Sequence, residues 1–250
     1  MVIAHATDLT GDDTSAFVHA SALAAASASR LVTLHGNAPS SDEAKLPDAA
    51  PLATKWGRPI EHERRCHECC EEVADTVIDA LKDLRPELVV LGTHGRHGLA
   101  SLVHGSVSET IARNVAVPAL FVPNHVRGFV DAATGVIDLN RVVIPARTVA
   151  DARCGIDAAR RLAALAGKPD AKLEIVHVGA PEPDLAKLGV TVTRVEGTLE
   201  DAILAVARLR EACVIVMPTS GHDGLGDVLL GSHTERVIRQ ASCPVLSVPM

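Results

Sequence analysis

The chain has no tyrosine, one tryptophan and three phenylalanines, so aromatics make up only 2% of its 250 residues. Its core must therefore be built from Val, Ile, Leu and Ala, the make-up of strands buried on both faces of a parallel sheet. The shortage also removes the stacking platforms on which single-stranded nucleic acid is held. A net charge of -7 removes the basic surface that duplexes need. Nucleic acid is excluded as a partner class. No run of about 18 apolar residues occurs, and no positively charged leader precedes an apolar stretch, because the sequence opens directly on the strand-like segment 2–7. No membrane association and a cytoplasmic location are the expectations. Six cysteines in so long a chain, three of them crowded at Cys66, Cys69 and Cys70, do not form a secreted disulfide framework.

What is present is a repeat. Gly92-Thr93-His94-Gly95, nine residues and Gly105-Ser106 recur 126 positions later as Pro218-Thr219-Ser220-Gly221, nine residues and Gly231-Ser232. The same offset relates Glu109 to Glu235, Arg113 to Arg239, Pro118 to Pro244 and Pro123 to Pro249. The chain is two copies of one unit, with boundaries expected at 1–124 and 140–250 and a linker at 125–139. β-branched runs alternate with Ala-rich helical stretches in each copy. Strands are predicted at 2–7, 31–35, 59–65, 88–91 and 119–122, and helices near 13–28, 71–84 and 105–114. The second copy repeats the order, with strands at 141–146, 172–178, 191–195, 213–217 and 245–248 and helices near 152–166, 198–209 and 231–240. Such alternation means parallel strands with crossover helices, hence an open α/β sheet with helices on both faces.

The offset between copies is 139 from Ala6 to Pro145 and 142 from His35 to His177, but 126 from Gly92 onward. The first copy thus carries a surplus between 36 and 92. Part of it, 37–57, is rich in Pro, Ala, Ser and Asp and reads as a mobile surface loop, a candidate lid.

Glycine serves where the backbone must take positive φ or let a ligand touch the main chain, so two glycine turns at a set interval suggest an anion cradle. Gly105-Ser106 opens a helix whose first N–H groups and positive dipole end suit phosphate, and Ser106 and Ser108 add hydroxyl donors. Thr7 and Asp8 close the first strand, where the Asp8 carboxylate is placed to accept hydrogen bonds from a ribose or a base. These residues outline a nucleotide. His94, His97 and His104 are read as rimming the phosphates, and no catalytic residue is assigned. No G-x-S-x-G elbow or acid partner accompanies the nearby serines, and there is no G-x-x-x-x-G-K-[ST] loop.

This constellation closely resembles the universal stress protein family in its tandem two-domain form, over nearly the whole chain. The G-x-x-G, nine residues, G-[ST] pattern is that family's ATP-binding motif, matched here by Gly92, Gly95, Gly105 and Ser106. The resemblance implies two tandem Rossmann-like domains of the adenine nucleotide alpha hydrolase-like type, each an open five-stranded parallel sheet with helices on both faces. It implies that Asp8 contacts adenine or ribose and that the backbone at Gly36 contacts adenine. Gly92 and Gly95 would line ribose and phosphates, and Gly105, Ser106, Val107 and Ser108 would bind phosphates. It implies further that strands 119–122 and 245–248 pair edge to edge and dock the two domains as an intramolecular pseudo-dimer. A homo-oligomer is compatible with this arrangement. In the second copy Pro218 replaces the first glycine and Arg147 stands where Asp8 stands. Gly221, Gly231, Ser232 and Thr234 are kept, so phosphate binding survives there as an alternative, and Val178 holds the place of Gly36.

The segment 62–71 has no counterpart in the second copy. His62, Cys66, His67, Cys69 and Cys70 could supply soft ligands to Zn²⁺, form a redox-sensing thiol pair, or simply pack. His35 and His177 recur before matching strand ends, which indicates a structural role. The reading as a whole is a stress-response protein that binds ATP or a related adenine nucleotide, with Mg²⁺ as an allowed companion. It senses or signals to an unidentified partner through nucleotide-dependent conformation rather than turnover. The alternatives are a zinc or thiol-redox sensor acting through the Cys/His cluster and a slow ATP hydrolase.

Overall fold

Apolar β-branched runs flanked by alanine-rich helices fold here into one continuous sheet. The structure is a computed structural model that describes residues 1–9, 14–36, 40–68, 72–93, 107–124, 126, 128–180, 183–219 and 232–250. The first half contributes β1 (Val2–Ala6), β2 (Arg30–Gly36), β3 (His62–His67), β4 (Leu88–Thr93) and β5 (Ala119–Pro123). The second contributes β6 (Arg141–Pro145), β7 (Lys172–Val178), β8 (Thr191–Val195), β9 (Val214–Thr219) and β10 (Val245–Pro249). Their order across the sheet is β3-β2-β1-β4-β5-β10-β9-β6-β7-β8. All pairs are parallel except β5 with β10, which joins the halves antiparallel. In that ladder Leu120 is the register partner of Leu246, its own counterpart in the repeat, with Phe121 opposite Val245 and Ala119 opposite Ser247. A pseudo-two-fold axis therefore passes between the two leucines.

Successive side chains of a strand point to opposite faces, and this alternation divides the core. Ile3, Leu31, Val90, Leu120 and Leu246 lie on one face with α1 (Thr14–Ser27) and α5 (Val149–Leu165). Ala4, Val32, Leu91, Phe121 and Val245 lie on the other. That second face packs against α3 (Val73–Leu84), α4 (Val107–Asn114), α6 (Leu199–Leu209) and α7 (Ser232–Gln240). Both faces are covered, which is why the strands carry so few polar residues. Buried Ala16, Ala20 and Ala24 let α1 lie close on the sheet.

The observed elements differ from the predicted ones where local chemistry decided. Helix α5 starts at Val149, three residues before its predicted start. Thr148 accepts from the Asp151 backbone N–H at 3.0 Å and the Asp151 carboxylate accepts from the Thr148 N–H at 3.1 Å, a capping box. Thr148→Ala should lower stability by about 1 kcal/mol, read from the urea midpoint. Strand β3 runs from His62 to His67, later than expected. The stretch expected to be a mobile loop holds a 3₁₀ turn (Ser40–Lys45) and a short helix, α2 (Ala50–Trp56), over its described part. Proline near the start of α2 and left-handed Gly57 (φ 63°) after its end delimit it. Trp56 and Leu46 are buried.

The stretch read as a linker is folded as well. Val130 and Ile137 form an antiparallel bridge, and Phe129, Val130, Ile137 and Leu139 are buried in the α1 face of the core. His19 on α1 accepts a hydrogen bond from the Phe129 N–H at 3.1 Å, and the two rings meet edge to face. Trp56 Nε1 donates to Ala132 O at 3.4 Å, and Gly135 (φ 68°) packs so closely on the Trp56 ring that any side chain would clash.

Candidate functional site

The sheet order sets the site. β1 continues to β2 and β3 on one side and to β4 and β5 on the other, so the β1/β4 pair is the topological switch point of the first half. Ligands of open α/β sheets bind beyond the carboxyl ends of the strands at that point. Ala6 is the register partner of Leu91, which sets Thr7 and Asp8 beside Gly92 across that pair.

Thr7 is buried and its Oγ1 accepts from the Leu9 N–H at 3.0 Å, while Asp8 is exposed. Leu9 takes φ 61°, a left-handed conformation that side chains rarely adopt and that bends the chain sharply after Asp8. Sequence reasoning missed this turn, since nothing in Asp8-Leu9 announces positive φ. His35 Nδ1 donates to Thr7 O at 2.8 Å and fixes the turn from the neighbouring strand. The second half repeats the clasp: His177 Nδ1 donates to Ala146 O at 2.9 Å. The paired histidines are thus structural, as their repetition indicated.

Gly36 ends β2. A Cβ there would sit 3.0 Å from Val73 O, so its smallness admits the first turn of α3. Ser108, in the first turn of α4, donates to Gly92 O at 3.2 Å and ties that turn to the end of β4. The described part of α4 begins at Val107, in the same turn. Thr7, Asp8, Gly92, Val107 and Ser108 are therefore gathered at one edge, with Gly36 at the end of the next strand. His94, Gly95, Gly105 and Ser106 lie outside the described residues.

The corresponding edge of the second half is built differently. Arg147 in the Asp8 position gives its backbone N–H to the Asp151 carboxylate at 3.0 Å, with its Nε at 3.7 Å from the same oxygen. Pro218 lies within β9 as the register partner of Val248. Glu200, largely buried in α6, accepts from His233 Nδ1 and Arg236 Nη1 on α7, both at 3.0 Å. The His233 hydrogen bond, with help from Arg236, holds its carboxyl below the usual range. This clasp engages side chains that follow Ser232 on α7, and no local pattern announces it because the partners are 33 and 36 residues apart. Thr234, the counterpart of Ser108, is buried, and Val178 packs partly buried on the core. Gly221 and Gly231 lie outside the described residues.

The expected metal cluster is not assembled over its described part. His62 and Cys66 are four residues apart on β3, about 13 Å at the rise of a strand, and His67 points to the face opposite Cys66. Both ring nitrogens of His62 are engaged. Nδ1 accepts from the Ala49 N–H at 3.2 Å, and Nε2 is left to donate to Thr33 Oγ1 at 2.9 Å. Burial lowers its pKa. Among the described residues no group of three His, Cys, Asp or Glu side chains is placed to hold a metal ion. Over the described part, the extended strand spreads His62, Cys66 and His67 apart instead of gathering them around an ion. Cys69 and Cys70 lie outside the described residues. Among those residues, too, no helix is long and apolar enough to cross a membrane.

Comparison with known proteins adds the lineage. A universal stress protein of Methanocaldococcus jannaschii is 49% identical over 53 residues, which span 21% of this chain and 31% of that protein. A universal stress protein of Thermus aquaticus, from the 3′ region of a QAH/OAS sulfhydrylase, is 31% identical over 134 residues, 41% of this chain and 98% of its own length. Among solved structures, a universal stress protein from Archaeoglobus fulgidus superposes with a TM-score of 0.67 at 19% identity, covering 99% of this chain and 98% of its own. A functionally unknown protein from Pseudomonas aeruginosa superposes at 0.71 with 16% identity, covering 99% and 92%. At such identities the structural matches show the fold, two Rossmann-like units in tandem. The Universal stress protein family matches residues 1–123 and 182–249, across both halves of the sheet, and this chain belongs to that family.

Proposed function

We propose that the chain binds one adenine nucleotide, ATP or a close relative, at the β1/β4 edge of its first half, and that it acts by binding rather than turnover. The observation that carries this reading is the convergence of Asp8 and Gly92 across the switch point, with the α4 N-terminus tied to the same strand end by Ser108. An exposed carboxylate on a sharply bent turn suits a ribose or adenine edge. Glycine turns running into a helix N-terminus suit phosphates, with Gly95, Gly105 and Ser106 completing the cradle by their place in the sequence. The family membership supports the same reading. The second half is the weaker site, because Arg147 replaces the carboxylate and the Glu200 clasp engages His233 and Arg236. The chain falls into units 1–124 and 140–250, whose nucleotide-dependent contacts a signalling partner would read.

Calorimetric titration with ATP, AMP and cyclic AMP tests the proposal. One site per chain is expected, with Asp8→Arg weakening it about 10- to 100-fold, the loss of one charge-assisted hydrogen bond. The variant's melting temperature, measured alongside, checks that it folds. Absence of binding, an unaffected Asp8→Arg variant, or steady hydrolysis of several ATP per second would overturn the reading.

A further inference from the structure

The pseudo-two-fold axis relates α1 to α5 and makes two equivalent grooves, each between one of these helices and the central strands of the sheet. They are not equally filled. At the offset of 139 that aligns β1 with β6, Val18, Ser21 and Ala22 on α1 correspond to Asp157, Arg160 and Arg161 on α5. The three α1 residues are buried, at 7%, 0% and 1% exposure, whereas the three α5 residues are exposed. On the α1 side the groove is occupied by the chain's own segment, whose Phe129, Val130, Ile137 and Leu139 join the core and whose backbone is pinned by His19. On the α5 side Ala158 stands in the place of His19, and a cavity of about 920 Å³ remains, walled by Pro118, Ala158, Leu162, Leu165, Leu246 and Val248. Asp157, Arg161 and Glu87 line its polar margin.

We infer that this groove is a docking site for a peptide segment of a partner protein, of the same chemistry as the segment seated in the equivalent groove. That chemistry is a turn carrying an aromatic and several aliphatic side chains, flanked by polar residues that meet Arg161 and Asp157. A free drug-sized molecule suits the groove less well, because such ligands are normally enclosed over most of their surface and here one wall is the exposed flank of α5. A segment with two turn arms covers that flank, as 128–139 does on α1. Cys154, half-buried in the wall, reports on occupancy.

The probe is a fluorescein-labelled synthetic peptide with the sequence of residues 128–140, added to the full-length protein. Saturable binding by anisotropy is expected, together with an at least fivefold slowing of maleimide labelling at Cys154, read by peptide mass mapping, on the order of what burial of a labelled side chain gives. Leu165→Arg should weaken the peptide about tenfold, as loss of a central apolar contact does. Arg161→Glu, on the exposed margin, should weaken it less and guards against misfolding of the first variant. Four outcomes overturn the inference. They are no binding at millimolar protein, binding without protection of Cys154, a self-associated dimer in which Cys154 is already protected, and a co-purified lipid or other apolar small molecule in the native mass spectrum.

Discussion

Phe121→Ala should cost about 3–5 kcal/mol of stability, a large fraction of what a chain of this kind possesses. Phe121 is fully buried on β5, the strand that closes the first half and pairs with the second. Its register partners are Leu91 on β4 and Val245 on β10, so truncation opens a hole at the junction of the halves. With Ser247 in the equivalent position of β10, the pseudo-two-fold axis supplies no second ring to fill the gap. The cost should appear in urea unfolding followed by circular dichroism. A change below about 1 kcal/mol, the size of ordinary surface effects, would mean that the ladder between β5 and β10 contributes little to the fold.

The second large effect is a loss of stability in acid, carried by His19. The ring is buried, its Nδ1 donates to Ser15 O at 2.7 Å, and its Nε2 must stay unprotonated to accept from Phe129 N. Burial lowers its pKa from 6.5 to about 4. The folded state therefore binds a proton less readily than the unfolded state. Stability from the neutral ring is complete above pH 6.5 and is lost progressively as the pH falls through 4. The full loss is about 3 kcal/mol. His19→Gln keeps a side-chain acceptor for Phe129 and cannot titrate. The difference between wild type and variant in unfolding free energy should shift by that amount between pH 7.5 and pH 4, whereas parallel curves would contradict the assignment.

Much of the fold was legible because the repeat registers one half against the other. Once Gly92 and Pro218, Pro118 and Pro244 align, Leu120 and Leu246 align too, and the edge pairing follows from the family resemblance. Helix and strand order was legible from Ala-rich runs between Val- and Ile-rich runs. What was not legible was mostly non-local. The 37–57 stretch was read from composition, and composition does not show that Trp56 buries itself against Gly135, 79 positions on. A Pro near the start and a Gly at the end of α2 were the available signal, and they were outweighed by the surrounding Asp and Ser. Residues 128–139 were read as a connector because nothing local says that Phe129 will meet His19. The nearness of Thr7, Asp8, Gly92 and Ser108 at one strand edge was legible from spacing, but the packing of Gly36 was not: the glycine makes room for α3. His62, Cys66 and His67 are close in sequence but spread in space, because a strand separates what a loop would gather.

We propose one adenine nucleotide bound at the first half without turnover, a reading that can be tested on the intact protein. Its most direct test is to load the full chain with ATP, remove free ligand by gel filtration, denature the protein, and quantify adenine nucleotide per chain by chromatography and mass. Near one equivalent, recovered as the nucleotide that was added, is the expected result. None retained, with titration also silent, would contradict it, as would two equivalents or recovery as ADP.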